Sequence, residues 1–160
     1  MISVVYPGTF DPPHLGHLDI VKRSCELFDR VVVAIAKSPR KYLLFNLEER
    51  VDMFRVMVEP LGSKVEVKGF DGLLVDFMKK EGLRVIVRGV RLFTDFEYEL
   101  QIALNNSKLA GVETIFMMPS QEYIHISSTI VRDIASYCGT LEGLVHPYVA
   151  KKLRDKFNCP

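Results

Sequence analysis

Two histidines three residues apart open the first helical stretch of the chain, at the end of the segment Tyr6-Pro7-Gly8-Thr9-Phe10-Asp11-Pro12-Pro13-His14-Leu15-Gly16-His17. Residues at i and i+3 share one helical face. Gly8 and Gly16 let backbone approach a ligand closely. A helix start offers unpaired amides to an anion, so the segment reads as a phosphate-handling surface. A bare His-x-x-His also suits a turn with two capping imidazoles, or a zinc site. Zinc needs a third protein ligand, and neither His125, His146 nor any cysteine has a helpful spacing.

A second cluster, Ile126-Ser127-Ser128-Thr129-Ile130-Val131-Arg132, begins a later helix with hydroxyls and amides directed at one spot. A hydroxyl at a helix start is ordinarily an N-cap. It gains a chemical meaning if both segments lie at one sheet edge, where two helix N-termini would converge on a triphosphate. Arg88-Gly89-Val90-Arg91 places two guanidiniums around a glycine at the end of an apolar run. They suit bidentate phosphate binding, or ion pairs with Asp95, Glu97 or Glu99. Lys37-Ser38-Pro39-Arg40-Lys41 is a basic loop able to bring an ammonium to developing phosphoryl charge. The sequence has neither the Gly-x-x-x-x-Gly-Lys-Ser/Thr loop of γ-phosphate transfer nor the Gly-x-Gly-x-x-Gly dinucleotide fingerprint. Nor does a nucleophile stand beside a base, so direct attack by a substrate phosphate is more economical than a covalent intermediate.

The elements that must position these groups follow from periodicity. Short β-branched runs at 2–6, 31–36, 65–67, 85–87 and 114–118 read as five strands. Between and after them, helical spacing covers 15–28, 47–58, 73–80, 95–109, 128–137 and 146–157. Asn46 with Glu49, and Thr94 with Glu97, have the spacing of capping boxes. Gly82 and Gly111 stand where C-terminal caps are expected. Strict β-α alternation implies right-handed crossovers. The expected fold is therefore α/β: a Rossmann-like, doubly wound, five-stranded parallel sheet with helices on both faces and a helical C-terminus, one domain over 1–160. Ligands should bind at the C-terminal ends of its strands.

Lys and Arg number 21 against 20 Asp and Glu, a net charge of +1 that argues against binding a nucleic acid by bulk electrostatics. Any phosphate site must be local. No apolar stretch approaches the roughly 20 residues of a membrane span. Cys25, Cys138 and Cys159 are odd in number and widely spaced, which suggests no disulfide framework and fits a reducing cytoplasm.

The paired segments His14-Leu15-Gly16-His17 and Ile126-Ser127-Ser128-Thr129 with Arg132 resemble the two signatures of the HxGH nucleotidyltransferase superfamily. With Tyr6-Pro7-Gly8-Thr9-Phe10-Asp11-Pro12, Leu47-Glu48-Glu49-Arg50-Val51, Arg88-Gly89-Val90-Arg91 and Asp95-Phe96-Glu97-Tyr98-Glu99, nearly the whole chain looks like the bacterial phosphopantetheine adenylyltransferases. The chain departs from that pattern at His14 and Ser107. The longer nicotinate-mononucleotide adenylyltransferases share the look of the first loop. The resemblance implies that the 4′-phosphate of 4′-phosphopantetheine attacks the α-phosphorus of ATP, with Mg2+ accompanying the nucleotide. It implies that His17 and Lys41 are catalytic, and that Thr9, Lys41, Leu74 and Arg88 hold the acceptor. ATP would meet Thr9, Phe10, His17, Gly89, Val90, Arg91, Glu99, Tyr123, Ile124, His125, Ile126, Ser127, Ser128 and Thr129. A cytoplasmic homo-hexamer is implied as well.

Overall fold

Five strands pair in parallel in the order β3-β2-β1-β4-β5. They are β1 (Ser3–Gly8), β2 (Arg30–Ala36), β3 (Val65–Phe70), β4 (Val85–Gly89) and β5 (Glu113–Met117). Six helices alternate with and follow them: α1 (Leu15–Leu27), α2 (Leu47–Val58), α3 (Leu74–Glu81), α4 (Phe93–Ala110), α5 (Ser128–Ser136) and α6 (Pro147–Lys156). The structure, a computed structural model, describes residues 1–38 and 42–160, with only the backbone of Phe93 and Thr94. The doubly wound α/β fold expected from the sequence is the one observed.

The continuous apolar runs are explained by burial on both sheet faces. Val4, Val31, Val33, Ile35 and Val87 pack on one side with Val21 of α1, Phe54 of α2 and Leu153 of α6. Val5, Val32, Ala34 and Ile86 pack on the other with Met78 of α3, Leu83 and Val112. Each of the larger of these side chains, from valine upward, contributes about 1.5–3 kcal/mol relative to exposure. β3 runs to Phe70, beyond its apolar run, because Lys68 and Gly69 still pair with Ala34 and Ile35 at the sheet edge.

The central strand does not pair evenly. Its ladder with β2 holds to Gly8↔Ile35, whereas that with β4 contains only Val4↔Val85 and Val5↔Ile86. Beyond Val5 the sheet splits. Pro7 sits at the split, where a residue without a backbone donor leaves no ladder bond unmade. Its carbonyl accepts from Arg88 Nη1 instead, at 2.6 Å. Connections run to opposite sides of β1 and β4, so the split is the topological switch point, where such sheets bind ligands.

The Asn46–Glu49 capping box is present, with Glu49 N–H donating to Asn46 Oδ1 at 2.8 Å and Asn46 N–H to Glu49 Oε1 at 3.3 Å. The cap expected at Thr94 falls elsewhere. α4 begins at Phe93 with Leu92 as its N-cap and no side-chain cap bond, so Thr94 falls inside the helix. Gly82 and Gly111 end α3 and α4 in the left-handed conformation, φ 68° and 63°.

The cysteine expectation is overturned. Cys138, just past α5, is bonded to Cys159 across 21 residues, and Cys25 is left free. Both α5 and α6 pack on the same core, and the chain end returns to residue 135, where Cys159 Sγ approaches the Ala135 carbonyl. An odd count cannot reveal which two cysteines pair. Closing a loop of this length restricts the unfolded chain by about 3 kcal/mol. Cys138→Ser/Cys159→Ser is therefore expected to lower urea-unfolding stability by about that amount. Dithiothreitol should lower the native chain to the same level and leave the double variant unmoved.

Candidate active site

A cleft of about 320 Å³ occupies the split between β1 and β4. Pro7, Gly8, Thr9 and Phe10 form one wall, Arg88, Gly89 and Arg91 another. The N-termini of α1 and α5 close it with His14, Gly16 and His17 and with Ser127, Ser128 and Thr129. The two helix starts do converge, as the sequence reading required, and bring two positive dipole ends to one space.

The two histidines together cap the start of α1. His14 Nδ1 accepts from Gly16 N–H at 3.1 Å, and His17 Nδ1 accepts from His14 N–H at 3.0 Å. Their rings stack with centroids 3.5 Å apart. A Cβ on Gly16 would come within 2.9 Å of the His14 ring, so glycine is required there for that ring to reach its cap. Phe10, held at φ 53°, sets its ring edge-on to His17 at 4.7 Å.

These bonds determine protonation. An Nδ1 that accepts from an amide cannot carry a proton, so each neutral imidazole holds its hydrogen on Nε2. Burial, then His14, then the Arg91 and Arg88 guanidiniums hold His17 well below the usual histidine range. Burial, with Arg91 second, lowers His14 to about 3. The cleft thus contains a neutral Nε2–H donor at His17, fixed in orientation and able to approach a phosphoryl oxygen.

Both arginines take up the ion-pair alternative, Arg91 loosely with Asp95 at 3.9 Å and Arg88 with Glu99. Arg88 Nε and Nη2 donate to Glu99 Oε2 and Oε1 at 2.8 and 2.5 Å. Burial disfavours its charge, but the Glu99 bonds and carboxylate outweigh it and raise its pKa. Arg91 Nη1 donates to the Ile126 carbonyl at 2.8 Å and holds the loop before α5 against β4. Arg132 Nη1 reaches the Asp11 carbonyl, and Ser128 Oγ the Pro12 carbonyl. Ser127 caps α5 by accepting from Ile130 N–H at 3.1 Å.

A second cleft, of about 280 Å³, shares Pro7, Gly8, Thr9 and Arg88 with the first and continues between α3 and α4. Leu74 and Glu99 line it. Tyr123, Ile126, Ser127, Ser128 and Thr129 line the first cleft; Val90, Ile124 and His125 line neither, and the last two are exposed. Lys41 lies outside the described residues.

Two positioning groups escaped the sequence reading. Arg50, 1% exposed, donates from Nη1 to the carbonyls of Thr9 and Ala36 at 2.8 and 2.7 Å, and from Nε to that of Phe45 at 3.1 Å. The signal was available, because Arg50 stands with Leu47, Val51 and Phe54 on the apolar stripe of α2, where a cation is out of place. Asp11, also buried, accepts from Leu44 and Phe45 N–H at 2.8 and 2.9 Å.

A family model described as cytidylyltransferase-like matches residues 5–134. The phosphopantetheine adenylyltransferase of Aquifex aeolicus is 78% identical over 156 residues, which cover 98% of this chain and 96% of that one. That of Carboxydothermus hydrogenoformans is 52% identical over 158 residues, covering 98% and 97%. The chain belongs to the cytidylyltransferase-like family and, within it, to the phosphopantetheine adenylyltransferases. A Vibrio parahaemolyticus structure provisionally named nicotinate-nucleotide adenylyltransferase matches 96% of this chain and 99% of its own with TM-score 0.70; at 17% identity it bears on the fold alone. The family match spans both helix starts that close the cleft.

The lowered pKa of His14 carries a sign. Between about 3 and the ordinary 6.5, the unfolded chain binds a proton that the folded chain does not. The corresponding stability is complete above pH 6.5 and is lost as pH falls toward 3. His14→Asn, which keeps a capping acceptor, is expected to flatten that fall by up to about 1.4 kcal/mol per pH unit. Urea unfolding at pH 7, 6 and 5 measures it.

Proposed function

We propose that the protein transfers the adenylyl group of ATP to the 4′-phosphate of 4′-phosphopantetheine, giving dephospho-coenzyme A and pyrophosphate. The observation that carries this reading is the pair of clefts meeting at Thr9 and Arg88 with His17 beside the junction. A nucleotide in the first and an acceptor in the second would bring two phosphates face to face. An acceptor phosphate oxygen then bonds to the α-phosphorus as the bond to the bridging oxygen of pyrophosphate breaks, in line and without a covalent enzyme intermediate.

Negative charge grows on the α-phosphate oxygens in that transition state. The neutral His17 Nε2–H, with the α1 and α5 amides, meets it without reorganising, and Lys41 would add an ammonium. Thr9 and the Phe10 backbone hold the reacting phosphates. Arg88, with Glu99 on one edge of its fork, turns remaining N–H groups to the acceptor phosphate. Leu74 lies along the acceptor arm. Gly89, Val90, Arg91 and the 123–129 loop, Ile124 and His125 included, receive ATP, and Glu99 acts on it through Arg88.

Among the described residues no group of three or more His, Cys, Asp or Glu side chains is gathered for a metal. Mg2+ fits as part of the Mg·ATP substrate, held by phosphate oxygens and water. No helix of the described residues is long and apolar enough to cross a membrane, and we place the reaction in the cytoplasm, where ATP is supplied. The exposed Leu104 and Leu109 of α4 are the kind of surface that a homo-hexamer would cover.

Pyrophosphate release with Mg·ATP and 4′-phosphopantetheine, and none with nicotinate mononucleotide, is the expected result. Release with the pyridine nucleotide alone would move the acceptor assignment and leave the His17 chemistry standing. His17→Ala should keep ATP binding and lose roughly 10²–10³ in kcat, read by steady-state kinetics beside calorimetric ATP titration.

A further inference from the structure

We infer that Thr114 determines acceptor specificity, by turning its hydroxyl oxygen to accept from the N–H of an amide of the acceptor arm. The inference rests on the proposed assignment of the second cleft to phosphopantetheine. Apart from the end it shares with the nucleotide cleft, that cleft has mainly apolar walls, including Phe70, Leu74, Ile86 and Ile102. Thr114, in β5, stands in its lining beside Ile86, its ladder partner. Among the described residues, Thr114 Oγ1 is the buried side-chain oxygen or nitrogen for which no hydrogen-bond partner exists. Folded proteins rarely leave such a group unmatched, and where they do a ligand is one physical reason.

The position fits the arm. Arg88 pairs with Phe116 and Ile86 with Thr114, so Thr114 lies two residues, about 7 Å, back along the sheet from the phosphate end. An acceptor with its phosphate at Arg88 and its arm between α3 and α4 carries first a dimethyl carbon, then a secondary alcohol, then an amide, and it is the amide N–H, farther from the phosphate than the alcohol, that matches the spacing of about 7 Å. The hydroxyl is shut off from solvent while the residue lines the cleft. Rotation about χ1 exchanges hydroxyl for methyl, and because the hydroxyl has no bond to lose, that rotation breaks nothing. A plain hydrocarbon arm would leave the hydroxyl unmatched, so the site favours an amide-bearing acceptor.

The test compares native enzyme, Thr114→Val and Thr114→Ser with 4′-phosphopantetheine and with an analogue in which the amide nearest the phosphate is replaced by an ester. Thr114→Val is expected to raise KM for phosphopantetheine about tenfold, with kcat and the KM for ATP unchanged and the urea midpoint not lowered. Thr114→Ser should restore KM, and Thr114→Val should lose the native preference for amide over ester. An unchanged KM in Thr114→Val, a lowered urea midpoint, or an intact amide preference would overturn the role while leaving the proposed reaction in place. A native enzyme inert toward phosphopantetheine would remove both.

Discussion

Arg50 carries a full charge into the interior and spends it on carbonyl oxygens. Its guanidinium takes those of Thr9, at the end of β1, of Ala36 and Lys37, at the end of β2, and of Phe45 and Asn46, at the start of α2. Burial lowers its pKa, which the negative charge of Asp11 opposes. A buried ion is tolerated only when its hydrogen bonds are complete. Here they tie together the loop after β1, the end of β2 and the start of α2. Asp11 ties the loop after β1 to the start of α2 from the other direction, through Leu44 and Phe45 N–H. The wall formed by Pro7 to Phe10 is therefore fixed to the end of β2 and the start of α2 by charge-assisted bonds to backbone, which anchors the chain at Lys37 and at Leu44 and Phe45.

With those loops fixed, the split sheet acts as the organising surface. Pro7 lies where the β1–β4 ladder has ended, and Arg88 comes across from β4 to its carbonyl. The same arginine belongs to both clefts. The bidentate contact with Glu99 orients the fork and offsets part of its charge, so in the proposed reaction a phosphate would meet a guanidinium of set direction. Preorganisation of this kind removes the reorganisation cost from the reacting complex.

Much of this was legible from residue order. The five strands, the six helices and the convergence of the two helix starts follow from period and from paired motifs, because burial on both sheet faces leaves uninterrupted apolar runs. The Thr94 expectation failed because spacing alone does not distinguish a cap from a residue just inside the helix, and α4 starts one residue earlier, at Phe93. The Cys138–Cys159 pairing depends on how α5 and α6 lie against one core, which no local pattern encodes. Arg88 was readable as a phosphate or a carboxylate ligand, and only the fold shows that Glu99 stands beside it. Thr114 is invisible to sequence, since a threonine in a strand is ordinary until its hydroxyl proves to have no partner.

The mutual capping of His14 and His17 joins fold to chemistry most directly. A helix start needs acceptors for its first amides, and here the acceptors are ring nitrogens rather than the usual hydroxyl or carboxamide. Occupying both Nδ1 atoms in this way keeps the imidazoles neutral and aims an N–H outward from His17. A carboxylate cap at His14 would have placed negative charge against an incoming triphosphate, whereas a charged imidazole would have broken the cap. With bulk charge near zero, in the proposed reaction the attraction for phosphate would come from Arg88, Arg91 and the two helix ends, leaving the histidine a neutral donor whose hydrogen bond would strengthen as charge develops.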